Sequence, residues 1–483
     1  MKIILNFIVR HETNRPDAAG HAQGCRPRTD TPEPNAIGRG LPEPSAIGRG
    51  LPEPSAIGRG LPEPSAIGQG LPEPSVIGRG GRCRLGIGLF FGLVLAASCG
   101  DDGGGADSGN GRPTLDRTPV LESVADRVVL PAIRAAQQAF ANMEQAAVSA
   151  RDGGDRAGLQ AAWRQASLSF QALEMMQFGP LGDLGGPSAG APRGGRGLRD
   201  EIYSWPVVPV SLCAIDQIIA NDADRFEAPD FFETQLANVY GLDGIEYLAF
   251  VDTTDNACPD TADINADGTW DGLEDSEIGD RRARLAAAQA SFLNARVGEL
   301  AEAWEQTFRD DFVSAGDGSS VFSSGQAAFD DVYAAMNQLD LLVKDDKLGI
   351  PLGIHAECLE ATCPDRVESR YAGASREFIR ANVEAFRRLF LGGQPEDPSR
   401  HGFDTYLRDI GRENLANDLV QDMDAMVEAA QDVEPPLPGA LSSDAERLRT
   451  LHTAISDVTT TLKSQFVSVL ALRVPQEGAA DND

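Results

Sequence analysis

Only five histidines occur in this 483-residue chain, and none stands in a His-Glu-x-x-His pattern. That removes the helix-borne zinc motif of many metallopeptidases. Neither a Gly-x-Ser-x-Gly turn nor a phosphate-binding glycine loop occurs, so the sequence proposes no serine-hydrolase elbow and no nucleotide cradle. No run alternates as a strand does, which argues against a sheet. Bases are short as well, with 42 Lys and Arg against 73 Asp and Glu, a formal net charge of −31. Such a surface repels phosphate backbones, so nucleic acid is not an expected partner, whereas cations and basic partners are. His11 and His21 precede the region that reads as folded; His355 and His401 fall in loops and His452 on a helical pattern.

Long apolar runs are missing too. The clearest one is residues 85–98, fourteen positions after Arg79, Arg82 and Arg84, too short to span a bilayer but right for a signal peptide. It ends in Leu95-Ala-Ala-Ser-Cys99, which resembles a bacterial lipobox. Cys99 is then the expected lipidated residue, and the protein is expected to be exported and anchored by lipid to a bacterial membrane, facing the periplasm or the cell surface. Upstream, residues 31–80 repeat a ten-residue unit five times, as in Leu41-Pro-Glu-Pro-Ser-Ala-Ile-Gly-Arg-Gly50. Two prolines and two glycines per unit forbid regular helix or strand and leave too little apolar surface for a core, so residues 1–81 read as disordered. Because a signal peptide belongs at an N-terminus, translation is expected to start near residues 76–80 and to omit the array; a genuine N-terminal extension is the alternative. Residues 82–98 read as the signal peptide and 99–118 as the lipidated cysteine and a flexible tether.

With Cys99 committed to lipid and the chain exported, four cysteines downstream can form two disulfides in any of three connectivities. Cys358 and Cys363 are the local pair, which leaves Cys213 for Cys258. A zinc site on these thiols competes weakly, since neither pair has knuckle spacing and only His355 is near.

From residue 119 to 475 the pattern is helical. Residues 121–150, 156–176, 231–250, 281–312, 325–343, 369–390, 406–430 and 444–472 all carry apolar positions three and four apart, with Gly/Pro-rich loops such as 179–198 and 394–402 between them. The expected fold is all-α, built of helical bundles. An insertion at 252–280 contains Asp263-Ile-Asn265-Ala-Asp267-Gly-Thr269-Trp-Asp271-Gly-Leu-Glu274. This spacing matches a twelve-position calcium loop, with Asp263, Asn265, Asp267, Asp271 and Glu274 as oxygen ligands, Thr269 offering its carbonyl and Gly268 at the turn. Trp270 replaces the usual aliphatic residue and no helix leads in, so the loop is EF-like or dockerin-like, with calcium in a structural role; a solvated acidic loop is the plain alternative.

The chain centres on Tyr240-Gly-Leu-Asp-Gly-Ile-Glu-Tyr-Leu-Ala-Phe250, where Asp243 and Glu246 share one face of an otherwise apolar helix. Two acids so placed repel unless a cation, an arginine or a shared proton relieves them, so a hard metal ion suits the pair, and a structural ion pair to a neighbouring helix is the alternative. Gly241-Leu-Asp-Gly-Ile-Glu246 resembles the Gly-x-His-x-x-Glu signature of the imelysin family, exported helical proteins often labelled peptidases. Phe178-Gly-Pro180 after the helix bearing Glu174, Tyr203-Ser-Trp-Pro-Val207 leading to Cys213-Ala-Ile-Asp216, and Glu368-Ser-Arg-Tyr371 opening the helix that ends at Leu391-Gly-Gly393 agree in the same order. The one departure is Asp243, which stands where the family has His.

The resemblance covers roughly residues 119–472. It implies two bundles with the site between or beside them, and a role in iron uptake or metal handling. Asp243 and Glu246 would be the metal ligands, joined by acids from other helices such as Glu174 or Asp216. Oxygen donors suit iron(III) or calcium better than zinc. The family's label makes a metallopeptidase the alternative, although that chemistry normally uses a His ligand. A calcium-stabilised surface interaction protein is a third reading.

Overall fold

The computed structural model describes residues 115–475, and in them every regular element is helical. The long elements are α1 (Leu130–Arg151), α2 (Arg156–Glu174), α3 (Leu212–Asn221), α4 (Leu242–Phe250), α5 (Asp275–Ala303), α6 (Gly325–Met336), α7 (Ser375–Leu391), α8 (Glu413–Asp432) and α9 (Ala445–Thr461). The repeats, the apolar segment 85–98, Cys99, the tether to residue 114 and the tail 476–483 lie outside the described residues. Among the described residues no helix is long and apolar enough to cross a membrane.

Local chemistry sets several helix ends. Asp155 caps α2 by accepting the Ala157 N–H at 2.8 Å, and Ser324 caps α6 by accepting the Ala327 N–H at 3.2 Å. Gly392, at φ +66°, closes α7 in a left-handed turn where a Cβ would meet the His401 carbonyl oxygen at 2.1 Å.

Two sets of helices pack separately and then meet. In the first, α1 lies along α2 and α5, and α4 fits across α2 and α5. In the second, α8 packs on both α7 and α9, and a π-helical segment, Leu339–Gly349, lies against α7 and α9. The contact of α7 with α2 joins them. Aromatic side chains fill both interiors: Trp163 of α2 touches Phe250 of α4 and Phe378 of α7, while Phe329, Phe390, Phe403 and Phe466 stack within the second set.

Some boundaries differ from the periodicity. Residues 231–241 are not helical beyond the short turns Phe232–Thr234 and Ala237–Val239, because Gly241 takes φ +125° and starts α4 afresh. Residues 368–374 form a loop instead of the start of α7, since their backbone is turned toward Glu246 and Gly373 adopts φ +62°. The pattern over 406–430 breaks at Gly411, φ +76°, into Phe403–Asp409 and α8. Helix α3, read from sequence only as a motif, is capped by Ser211 accepting the Ala214 N–H.

Two disulfides are present. Cys213–Cys258 ties α3 to the 252–280 insertion, and Cys358–Cys363 closes a short loop before α7. Within the insertion, Asp263–Ala266 is one helical turn and Gly268 turns at φ +75°. Its Ile264 and Trp270 are buried, and the Trp270 indole N–H donates to the Thr254 carbonyl at 3.1 Å.

Trp163 fastens the first set to the central helix: its indole N–H donates to the Leu242 carbonyl at 2.7 Å and its rings are 1% exposed. Trp163→Ala is expected to destabilise the domain by about 3–5 kcal/mol, read as a lower denaturation midpoint in urea. A change below about 1 kcal/mol would show that α4 is held elsewhere.

Candidate functional site

Helix α4 is buried from Leu242 to Ala249, which is what a helix apolar on nearly all sides demands. Its two acids therefore enter the interior with it. Asp243 is 8% and Glu246 3% exposed, and both face a cavity of about 320 Å³. Three further stretches complete the lining: Trp205, Pro206, Pro209, Val210 and Leu212; Asp346 and Ile350; and the 365–371 loop.

Three carboxyls of this cavity, those of Asp243, Glu246 and Glu368, are each held by one oxygen. Glu246 Oε1 accepts the Ser369 hydroxyl at 2.9 Å, the Tyr371 N–H at 2.9 Å and the Ala372 N–H at 2.7 Å. Consecutive backbone N–H groups turned to one point are an anion-holding cradle, and here the anion is the protein's own. Asp243 Oδ1 accepts the Gly244 N–H at 3.1 Å, while its Oδ2 is buried without a partner. Glu368 repeats the pattern. Its Oε1 accepts from the Gln171 amide at 3.0 Å and the Tyr203 hydroxyl at 2.9 Å and lies 3.1 Å from the Lys347 ammonium, and its Oε2 is buried and unpartnered.

The glycines of the signature make room for this. A Cβ on Gly241 would stand 2.7 Å from Asp243 Oδ1, and one on Gly244 would stand 2.7 Å from Gln289 Oε1. Gln289 in turn donates to the Val239 carbonyl at 3.0 Å, fastening the entry to α4 onto α5.

Burial governs the proton affinities. It pushes the Asp243 carboxyl up to about 7, against its hydrogen bonds and with help from the Glu246 charge. Glu246 is likewise pushed up to about 7 by burial, which outweighs its three donors. Asp346 rises to about 6 through burial and the neighbouring Asp345 and Glu357.

Beneath the cavity lies a charge network that the sequence did not signal. Lys347 is fully buried and donates to Gln171 Oε1 at 2.5 Å, Glu174 Oε2 at 2.8 Å and Asn382 Oδ1 at 2.9 Å, with Trp205 5.9 Å from its nitrogen. Glu174 also takes Arg199 at 2.8 Å. Burial opposes the Glu174 charge, but Lys347 and Arg199 prevail and hold its carboxyl below the usual range. Glu368 goes the other way, raised by burial and by Glu174 against the pull of Lys347.

Of the acids expected to complete a ligand set, neither reaches the cavity. Glu174 is committed to Lys347 and Arg199, and Asp216 accepts the Tyr247 hydroxyl at 2.8 Å and the Ala257 N–H at 2.7 Å. Glu368, noted in sequence only within a family-like stretch, is the acid that lines it beside Asp243 and Glu246. Its signal was slight, because 122 positions separate it from Glu246. Among the described residues no three His, Cys, Asp or Glu side chains are placed to hold one ion by themselves. In the 263–274 loop, Asn265 bonds to Asn256 and to the Cys258 and Pro259 carbonyls, while Asp267 Oδ1 accepts the Thr269 N–H and hydroxyl.

Removing Lys347 strands the Glu368 carboxyl and leaves Glu174 to Arg199 alone. Lys347→Met is expected to destabilise the fold by about 3–5 kcal/mol at pH 8, and by less at pH 5, where Glu368, already raised by burial, can take up a proton. Urea denaturation at the two pH values checks this; an equal loss at both would show that the ammonium does not serve these carboxylates.

The comparisons with known proteins come to the same architecture. An imelysin-like protein from Psychrobacter arcticum 273-4 superposes with a TM-score of 0.51 at 17% identity, covering 74% of this chain and 97% of its own. A protein from Parabacteroides distasonis ATCC 8503 described as an iron-regulated protein A precursor gives 0.53 at 16% identity, covering 73% of this chain and 95% of its own. No curated protein sequence matches. The family model described as Imelysin matches residues 129–465, well over half of the sequence, and the chain belongs to the imelysin family.

Proposed function

We propose that this chain is an exported, lipid-anchored protein that binds a hard metal ion, iron first, at the Asp243/Glu246 pair and serves in iron uptake or metal handling. The observation that carries this is the pair itself: two adjacent buried carboxyls face one cavity, each with an oxygen left free by its hydrogen bonds. Burying a negative charge without a partner is unfavourable, and a cation is what relieves it. The residues fit such an ion in kind, since Asp243 and Glu246 offer carboxylate oxygens and Glu368, whose Oε2 is buried without a partner, lines the same cavity. Membership of the imelysin family and the iron-regulated neighbour support the choice of metal. Cys99 and its lipobox-like stretch support the anchor.

A second, structural ion is proposed at the 263–274 loop. Its spacing and the positive φ of Gly268 support calcium, but Asp263, Asp267, Asp271 and Glu274 are not gathered around one point here and would have to draw together on binding, with the Thr269 carbonyl as a further ligand and Asn265 joining if its amide turns from Asn256. A peptidase would need one of the cavity's carboxyls, Asp346 and Glu368 included, as its general base beside a metal held by Asp243 and Glu246. No histidine lines the cavity to join them, and metal binding is the reading the site supports better.

The two elevated carboxyls give the metal a definite pH dependence. A carboxyl whose proton is held more tightly in the fold than in the unfolded chain favours the native state fully below pH about 4, and that contribution is lost as the pH rises through 7. Metal must displace these protons, so its affinity should rise by up to about tenfold per pH unit for each proton released and level off above 7. Calorimetric titration of the purified protein with manganese(II), as a soluble hard ion, is expected to show about 10- to 100-fold weaker binding at pH 6 than at pH 8. Asp243→Asn/Glu246→Gln should abolish this site while leaving a calcium site that Asp267→Ala removes. Unchanged manganese binding in the double variant would make the pair structural and end the metal-handling reading.

A further inference from the structure

The cavity is built for more than a bare ion. Its volume of about 320 Å³ is roughly ten times the share of one liquid water. Much of its wall is carbon: Pro206, Pro209, Val210, Leu212, Ile350 and Val367. A hydrated metal ion gains nothing from such a wall, because its waters need hydrogen-bond partners, whereas an organic skeleton is at home there.

The protein also leaves the coordination sphere unfinished. Asp243 and Glu246 offer oxygens from one helix, yet no third His, Cys, Asp or Glu among the described residues is placed to hold an ion with them. Iron(III) and similar hard ions are commonly surrounded by about six donors, so most of them must come from what arrives with the metal.

One cation lines the cavity without an acid to neutralise it. Arg366 is paired with Glu357 at 3.0 Å, but Arg370 makes no ion pair among the described residues; its guanidinium lies over the Tyr371 ring at 5.3 Å, exposed to solvent. A planar guanidinium resting over an aromatic ring keeps its N–H fork available to a carboxylate. In a chain of net charge −31, an unpaired arginine beside an acidic cavity is the local feature that can accept an anion.

We propose that the site takes its metal as a complex with a small polycarboxylate chelator, with Asp243 and Glu246 toward the metal, Arg370 toward a carboxylate of the chelator, and the proline and aliphatic wall against its carbon skeleton. This rests on the metal-handling reading and names its substrate class. The ligand exchange it entails is redox-neutral: carboxylate oxygens of the protein replace water or chelator oxygens on the ion, and any proton on Asp243 or Glu246 passes to solvent.

The test titrates the full chain with three probes, iron(III) citrate, manganese(II) without chelator, and citrate alone, in wild type, Arg370→Gln and Asp243→Asn/Glu246→Gln. Arg370→Gln is expected to weaken iron(III) citrate binding at least tenfold and to leave manganese(II) within about twofold, since the side chain is exposed and donates no hydrogen bond to Asp243 or Glu246. Citrate alone should bind wild type weakly or not at all. The chelator proposal is overturned, with the metal reading intact, if Arg370→Gln binds iron(III) citrate as wild type does while the double variant loses manganese(II). Should the double variant bind both metal probes as wild type does, the metal reading fails and the chelator proposal with it. Circular dichroism and the urea midpoint of each variant show whether the fold is retained, so a loss through misfolding is recognised as such.

Discussion

The Lys347 ammonium is the constraint on which the two helical sets depend. It sits on the π-helical segment of the second set, donates to Glu174 and Gln171 on α2 of the first, and to Asn382 on α7, the helix through which the sets touch. A charge this deep is strongly unfavourable unless every proton is satisfied and opposite charge is near. Here both conditions hold: three hydrogen bonds, to Gln171, Glu174 and Asn382, and two carboxylates, Glu174 at 2.8 Å and Glu368 at 3.1 Å. The same contacts fix the relative placement of three elements distant in sequence. A slip of α7 along α2 would leave the ammonium or a carboxylate without its partner, so the network specifies one docking of the two sets where apolar surface alone would accept several.

That docking also shapes the cavity. Glu368 is held from below by Lys347, Tyr203 and Gln171 through Oε1, which leaves Oε2 in the lining. Glu246 is held from the side by the 369–372 backbone through its own Oε1. In both, one oxygen is spent on orientation and the other is kept for the cavity. Preset oxygens need little rearrangement when a cation arrives, which is how a rigid scaffold favours binding. The loop that cradles Glu246 is the loop that carries Arg370, so acid floor and basic rim are positioned by a single turn of chain.

How much of this was legible in the sequence depends on the range of the interaction. The α2 and α5 helices follow from three- and four-residue spacing, and Asp243 and Glu246 from being three apart on an apolar helix, because these are local facts. Residues 231–241 carry the same apolar spacing yet turn out of helix, since the left-handed φ of Gly241 is a demand made by the packing of α4 and not by its neighbours in sequence. The start of α7 was misplaced for a similar reason: 368–374 could form helix, but three donors there are claimed by Glu246. Lys347 reads as an ordinary surface lysine beside Asp345 and Asp346. Nothing within a turn or two of it announces Glu174 and Asn382, so its burial is visible only once the sets have docked.

Asp243 stands where the resemblance implies a histidine, and burial acts on the two groups in opposite senses. It brings the Asp243 carboxyl up to about 7, whereas it would lower an imidazole from its ordinary value of about 6.5. The direction of charge differs. A deprotonated histidine is a neutral nitrogen donor, compatible with borderline ions, whereas deprotonated Asp243 is an anionic oxygen donor beside a second one, Glu246. Two adjacent anions repel until a cation binds, and their relief is greatest for an ion of high charge and oxygen preference. An aspartate at this one position therefore puts an anionic oxygen where a neutral nitrogen would stand, and under the proposed metal reading it would turn the donor set toward harder ions. The buried Oδ2 without a partner is the atom through which that preference would act.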